Sequence, residues 1–222
     1  MHKIREIREY PPIHVLFSGW KEEKDIVFLD SSLENRLGRY SIIGRRPYQK
    51  LVQREDGFYV NGEKQEVTFE DYLRTYLKEH PDSNESDLPI VSGAMGYFSY
   101  DYGRQKEKVK ARHPKEMDMP EVILCFYDNF IIEDHQEKRF YLVANDQTEE
   151  VDTLLDDVEN MAAEMYTLWK NGQIPEAKDD HSAIKVMPNF TKEAYKQAVK
   201  DMIDYIVDGD IYIANMTQHL TV

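Results

Sequence analysis

The 222-residue chain sets 28 Lys+Arg against 42 Asp+Glu, a formal charge of -14, and is 41% hydrophobic and 12% aromatic. That apolar share supports a folded core rather than disorder, and the acidic balance argues against nucleic-acid or anionic-membrane binding, which needs a basic face. No apolar run approaches the roughly 20 residues that span a bilayer, and "MHKIREIREY" lacks a signal peptide's apolar core, so a soluble, cytoplasmic protein is expected.

In chain order, "DIVFLD" (25–30) and "RYSIIG" (39–44) read as strands flanking a polar connection. "YQKLVQR" then meets "GFYVNG" through Glu55-Asp56-Gly57, where Asp-Gly signals a hairpin. The spacing of Phe69, Tyr72, Leu73, Tyr76 and Leu77 predicts a helix with one apolar stripe, capped by Thr68. Two long strands, 121–133 and 139–144, follow as a hairpin across "DHQEK". A long amphipathic helix then carries Val151, Leu154, Leu155, Val158, Met161, Met165, Leu168 and Trp169 on its apolar face and stops at Gly172.

Residues 173–188 have no period and carry prolines near both ends, which predicts a linker. A last helix, 190–207, presents Tyr195, Ala198, Val199, Met202, Ile203 and Ile206 on one face, and beyond Gly209 a terminal strand is expected over 211–222. The pattern is α+β, with mostly antiparallel sheet and helices packed outside. It divides into a first lobe (1–172), a linker (173–188) and the opening helix and strand of a second lobe (189–222). That final apolar strand has nothing after it to cap or cover it, and an open edge is an aggregation hazard.

Few residues suggest chemistry. The seven histidines are scattered without metal-ligand spacing. The single thiol, Cys125, sits in the apolar run "VILCFYDNFII" and reads as a buried, inert side chain. "GAMG" (93–96) lacks the Gly-Lys-Ser/Thr of a phosphate loop, and its glycines mark a bulge or a close backbone approach. Asp156-Asp157 and Glu149-Glu150 read as a solvated helix face. No catalytic residue and no metal site is assigned.

One stretch, "FLDSSLENRLGRYSIIGRRP" (28–47), concentrates polar groups between two apolar strands. Ser31, Ser32, Arg39, Tyr40 and Ser41 could converge on a small ligand bearing a carboxylate or an ammonium, since Arg pairs bidentately with carboxylates. The competing reading is a tight turn whose serines satisfy the backbone and whose arginines lie in water.

Taken jointly and in order, "FLDSS…GRYSIIGRRP", "LPI", "SGAMGYFSYDYGR" (92–104), "MPEVILCFYDNFIIEDH" (119–135) and "FTKEAYKQAVKDMIDYIVDGDIYIANMTQ" (190–218) resemble the chorismate-utilising aminating enzymes. These are aminodeoxychorismate synthase component I and anthranilate synthase component I. The resemblance implies a two-lobed α+β enzyme that aminates chorismate with Mg2+ and with ammonia from a glutamine amidotransferase subunit. It makes this chain the N-terminal part of such an enzyme, inert alone because the catalytic and Mg2+-binding residues of the family lie in the second lobe.

It also implies a tryptophan-type effector site in the first lobe, onto which Ser31, Arg39, Tyr40 and Ser41 map, with Ser32 beside them. "GRYSIIG" and "GYFSYDYGR" look like the aminodeoxychorismate branch, which leads to 4-aminobenzoate and folate. The anthranilate type usually reads Leu-Leu-Glu-Ser where this chain has Leu29-Asp30-Ser31, and Ile213 stands where many relatives carry Gln. The alternatives are an anthranilate synthase component I fragment, a stand-alone module sensing an aromatic amino acid, and a scaffold subunit that docks the amidotransferase. On this reading residues 211–222 pair with another molecule (a second copy included), lie on the first lobe, or are poorly ordered.

Overall fold

A computed structural model describes residues 2–33, 35, 37–110, 118–174 and 185–221. The chain forms two compact units, Met1–Ile174 and Pro175–Val222. Most of the expected linker falls outside the described residues.

The first unit runs β1 (His2–Ile7), α1 (Ile13–Ser18), β2 (Val27–Leu29), β3 (Tyr40–Arg54), β4 (Gly57–Val60), β5 (Glu63–Gln65), α2 (Phe69–Glu79), β6 (Ala94–Phe98), α3 (Tyr100–Lys106), β7 (Val122–Asp134), β8 (Arg139–Asn145) and α4 (Val151–Lys170). Its eight strands make one sheet in the order β1-β8-β7-β3-β4-β5, with β2 on β3 and β6 on β7. Every pairing is antiparallel. The fold is α+β, mostly antiparallel sheet with helices against its faces.

The long partners β3 and β7 form the spine. Consecutive residues of β7 are buried because both its faces are covered: Ile131 packs with α1 and α4, while Phe130 and Ile132 turn to the opposite cluster with Leu88, Val91 and Met95. Cys125 lies in that second cluster, 2% exposed, and burial pushes its thiol pKa up, as an inert cysteine requires. A register shift between Pro47 and Gln49 breaks the ladder where proline has no N–H to give.

Local signals act as expected at the β3–β4 hairpin, where Arg54 faces Gly57 across Glu55-Asp56. They also hold at α2, whose Thr68 hydroxyl accepts from Asp71 N at 3.2 Å. Thr68→Ala is therefore expected to cost about 1 kcal/mol, read as a lower denaturant midpoint at unchanged slope. Phe69, Tyr72, Leu73 and Tyr76 pack on Leu51, Phe58, Val122 and Phe126, but Leu77 is 53% exposed because the stripe outruns the sheet beneath it. Trp169 at the end of α4 is exposed for the same reason.

Two expectations are corrected. The acids of α4 are not merely solvated. Asp156 and Glu159 accept from Arg5 of β1, Asp157 from Arg45 and Arg46, and Glu149 from Arg46. These bonds tie the helix to the sheet, and Arg45 also lies over the Trp20 ring, 4.6 Å from its centroid.

The second correction concerns the second unit: β9 (Met187–Pro188), α5 (Lys192–Val207) and β10 (Leu220–Thr221). The strand expected over 211–222 is absent from 211–219, and only Leu220–Thr221 pairs, with Met187–Pro188 of the same chain. A strand needs a ladder, and the two-residue β9, half of it proline, offers too little of one. Helix α5 buries no residue completely. Among the described residues no helix is long and apolar enough to cross a membrane.

Candidate functional site

The polar corner predicted from 28–47 is built by β2 and the start of β3. Antiparallel pairing of Leu29 with Ile42 carries the chain on so that Asp30 and Ser31 face Tyr40 and Ser41. Ser31 N donates to Ser41 Oγ at 2.9 Å, and Ser31 Oγ donates to the Tyr40 carbonyl at 2.7 Å. Ser41, fully buried, donates through Oγ to Asp30 Oδ1 at 3.2 Å and lies 2.8 Å from His135 Nε2. Between the strands, Asn35 Oδ1 accepts from Leu37 N and Gly38 N, an Asx turn that folds the connection back.

Arg39 is the cation of this corner, and it does not lie free in water. Its Nε approaches both oxygens of Asp134 at 3.1 Å and its Nη2 donates to Oδ2 at 2.6 Å. Asp134 ends β7 opposite Tyr40, and its Oδ1 also accepts from Gln136 N and Glu137 N. Burial pushes its pKa up, but Arg39 and those two N–H groups more than reverse this, so the carboxyl titrates below the ordinary range. The guanidinium carbon sits 4.7 Å from the centre of the Tyr40 ring, and burial, followed by the Asp134 charge, pushes the Tyr40 phenol up.

Of the five residues expected from sequence, Ser31 and Ser41 meet across the strands and Arg39 lies against Tyr40, while the Tyr40 and Ser41 side chains take opposite faces of the sheet. Ser32 is exposed and stands apart from these contacts. Sequence reasoning missed Asp30, Asp134 and His135. The accessible chemistry of the corner is the Arg39 guanidinium, the Tyr40 ring and the exposed Asp30 carboxylate, whereas Ser41 is fully buried and Asp134 is paired with Arg39. Among the described residues no three carboxylate, imidazole or thiol groups gather to hold a metal ion.

Residues 31–222 match the family described as chorismate binding enzyme. Aminodeoxychorismate synthase component 1 of Bacillus subtilis (strain 168) is 28% identical over 207 residues, covering 89% of this chain and 42% of that protein. Anthranilate synthase component 1 of Thermus thermophilus is also 28% identical, over 203 residues, covering 86% of this chain and 41% of its own length. Among solved structures, anthranilate synthase component I from Streptococcus pneumoniae TIGR4 superposes with a TM-score of 0.57 at 19% identity, over 90% of this chain and 44% of that one. The chain spans less than half the length of each of these relatives. The match over 31–222 covers most of its residues, and the chain belongs to the chorismate-binding enzyme family.

Proposed function

We propose that this chain supplies the N-terminal lobe of an aminodeoxychorismate synthase component I, and that its Ser31–Ser41 corner seats a tryptophan-type effector. The whole enzyme would aminate chorismate to 4-amino-4-deoxychorismate, using Mg2+ held outside this lobe and ammonia from a glutamine amidotransferase subunit. The observation that carries this reading is the family match together with a span of 42% of the Bacillus relative. A segment of that extent leaves the larger part of the relative unmatched.

The chemistry of the corner supports an amino-acid effector. Asp30 is exposed and accepts from Ser41, so its carboxylate can receive an ammonium. Arg39 turns Nε and Nη2 to Asp134, leaving Nη1 as the nitrogen outside that pair for a ligand carboxylate. The Tyr40 ring, half-buried beside Arg39, supplies an apolar face for an aromatic side chain.

The anthranilate branch is the second reading, favoured by the equal identity of the Thermus relative. Incubating the chain alone with chorismate, excess ammonia and Mg2+, and resolving products by chromatography, tests the lobe assignment. Neither 4-amino-4-deoxychorismate nor anthranilate is expected. Turnover by this polypeptide would overturn the assignment of all chemistry to the unmatched part of the relatives.

A further inference from the structure

The far end of β3 from Arg39 carries a second feature that the effector corner does not explain. In the antiparallel register Val52 pairs with Tyr59 and Tyr59 with Lys64, while on the other side Val52 pairs with Ile123 and Ile123 with Tyr97. Paired residues share a face, so Lys64, Tyr59, Val52, Ile123 and Tyr97 form one row across five strands. Lys50 and Arg54, two residues either side of Val52, fall on the same face. The opposite face of these strands is closed by α2 on Leu51, Phe58 and Val122. The row itself is left half-exposed.

A groove of ≈ 500 Å³ lies along this row, lined by Lys50, Val52, Arg54, Tyr59, Gly62, Pro120 and Ile123. That size is in the range of small-molecule sites, which pair apolar walls with a few placed polar groups. Its walls are the Val52 and Ile123 side chains, the Tyr59 ring and Pro120, whose carbonyl accepts from Tyr97 Oη at 2.9 Å. The lining contains two cations and no carboxylate, in a chain whose net charge is -14.

The partners of those cations lie outside the lining, and the one on Arg54 holds it loosely. Arg54 gives Nη1 to Asp118 at 3.2 Å, and Asp118 is 93% exposed. An exposed pair of this kind contributes little and is readily exchanged. Lys50 pairs with Asp25, which is also solvent-accessible. Tyr59 is held in place by its hydroxyl bond to Asp56 Oδ2 at 2.6 Å.

We propose that this groove is a binding site for a planar aromatic carboxylate, its ring on Val52, Ile123 and the Tyr59 face and its carboxylate on Arg54. The apolar floor favours an aromatic acid over a small hydrophilic anion such as phosphate, which leaves that floor uncovered, and the cationic ends disfavour an uncharged aromatic relative to its acid. The proposal is independent of the effector corner, with which it shares no residue.

Methyl-detected NMR on the full chain tests it, with naphthalene-2-carboxylate as probe and naphthalene-2-methanol as its uncharged counterpart. The expected result is saturable shifting of the Val52 and Ile123 methyls by the acid at submillimolar affinity, with the alcohol about tenfold weaker, the equivalent of one charge-assisted contact. Arg54→Gln should weaken the acid by a similar factor and leave the alcohol unchanged, with the Leu51 and Ile131 methyls reporting an intact fold. Three outcomes overturn the proposal: no shift at millimolar probe, equal binding of acid and alcohol, or shifts confined to the exposed apolar residues of α5. The acid–alcohol comparison needs no variant, so it decides even if Arg54→Gln misfolds.

Discussion

Gly96→Ala is expected to detach β6 from β7 and to cost about 3 kcal/mol, the upper end of what forcing atoms into a packed site usually costs. Gly96 pairs with Leu124, and a Cβ placed on it would sit 1.9 Å from the Ile123 carbonyl oxygen and 2.8 Å from its carbon. Both are backbone atoms of the spine strand, which cannot swing aside as a side-chain tip can. Strand β6 must move instead, and it carries Met95, one of the buried residues in the cluster around Cys125 and Tyr127. Gly103→Ala is the matched control, because α3 leaves open space around that position. There the substitution should be neutral or stabilising by up to about 1 kcal/mol, as glycine disfavours a helix interior. Denaturant unfolding of the pair separates a steric requirement at Gly96 from a general effect of losing glycine.

Asp134→Ala is the second large effect, expected at about 2 kcal/mol at neutral pH. It orphans the Arg39 guanidinium together with the N–H groups of Gln136 and Glu137, and unsatisfied groups at a part-buried site cost more than the bonds gained. The pH dependence has a fixed sign. The folded-state pKa of Asp134 is depressed, so its contribution is present above the unfolded carboxylate value of roughly 4. It is lost as pH falls through the lower folded value. The stability gap between wild type and variant should therefore be full at pH 7 and shrink in acid below that point. A gap that stays constant to pH 2 would mean that the carboxylate's charge is not what matters.

These two sites show how much of the molecule could be read from the chain. Interactions spanning a few residues were legible: the Asp56-Gly57 turn, the Thr68 cap, and the apolar stripes of α2 and α4. So was the tight spot at Gly96, since glycine inside an apolar run marks a close approach. Strand β1 was not legible. In "HKIREI" Ile4 and Ile7 fall on opposite faces, and Lys3 and Arg5, which flank Ile4, pair with acids of α4. The pattern thus looks like a charged tail until β8 and α4 are in place. Helix α3 was missed as well, hidden inside a motif dense in aromatic and small residues.

The candidate corner divides the same way. Ser31, Tyr40 and Ser41 lie on neighbouring strands nine or ten residues apart, so their meeting follows from a local pairing. Asp134 and His135 reach it from 95 and 94 residues away. Only the register of β3 on β7 brings them there, and nothing in their immediate sequence announces it. The terminal run failed for the converse reason. Ile211, Tyr212 and Ile213 have strand character, but strand propensity without a ladder to join does not make a strand.

The central claim is that the corner formed by Ser31, Arg39, Tyr40 and Ser41 seats an aromatic amino acid. Calorimetric titration of L-tryptophan into the intact chain tests it most directly. The account predicts saturable heat with a submillimolar dissociation constant, weakened by Arg39→Ala in a variant whose circular dichroism shows it still folded. Absence of heat at millimolar tryptophan, or binding that Arg39→Ala leaves untouched, would contradict it.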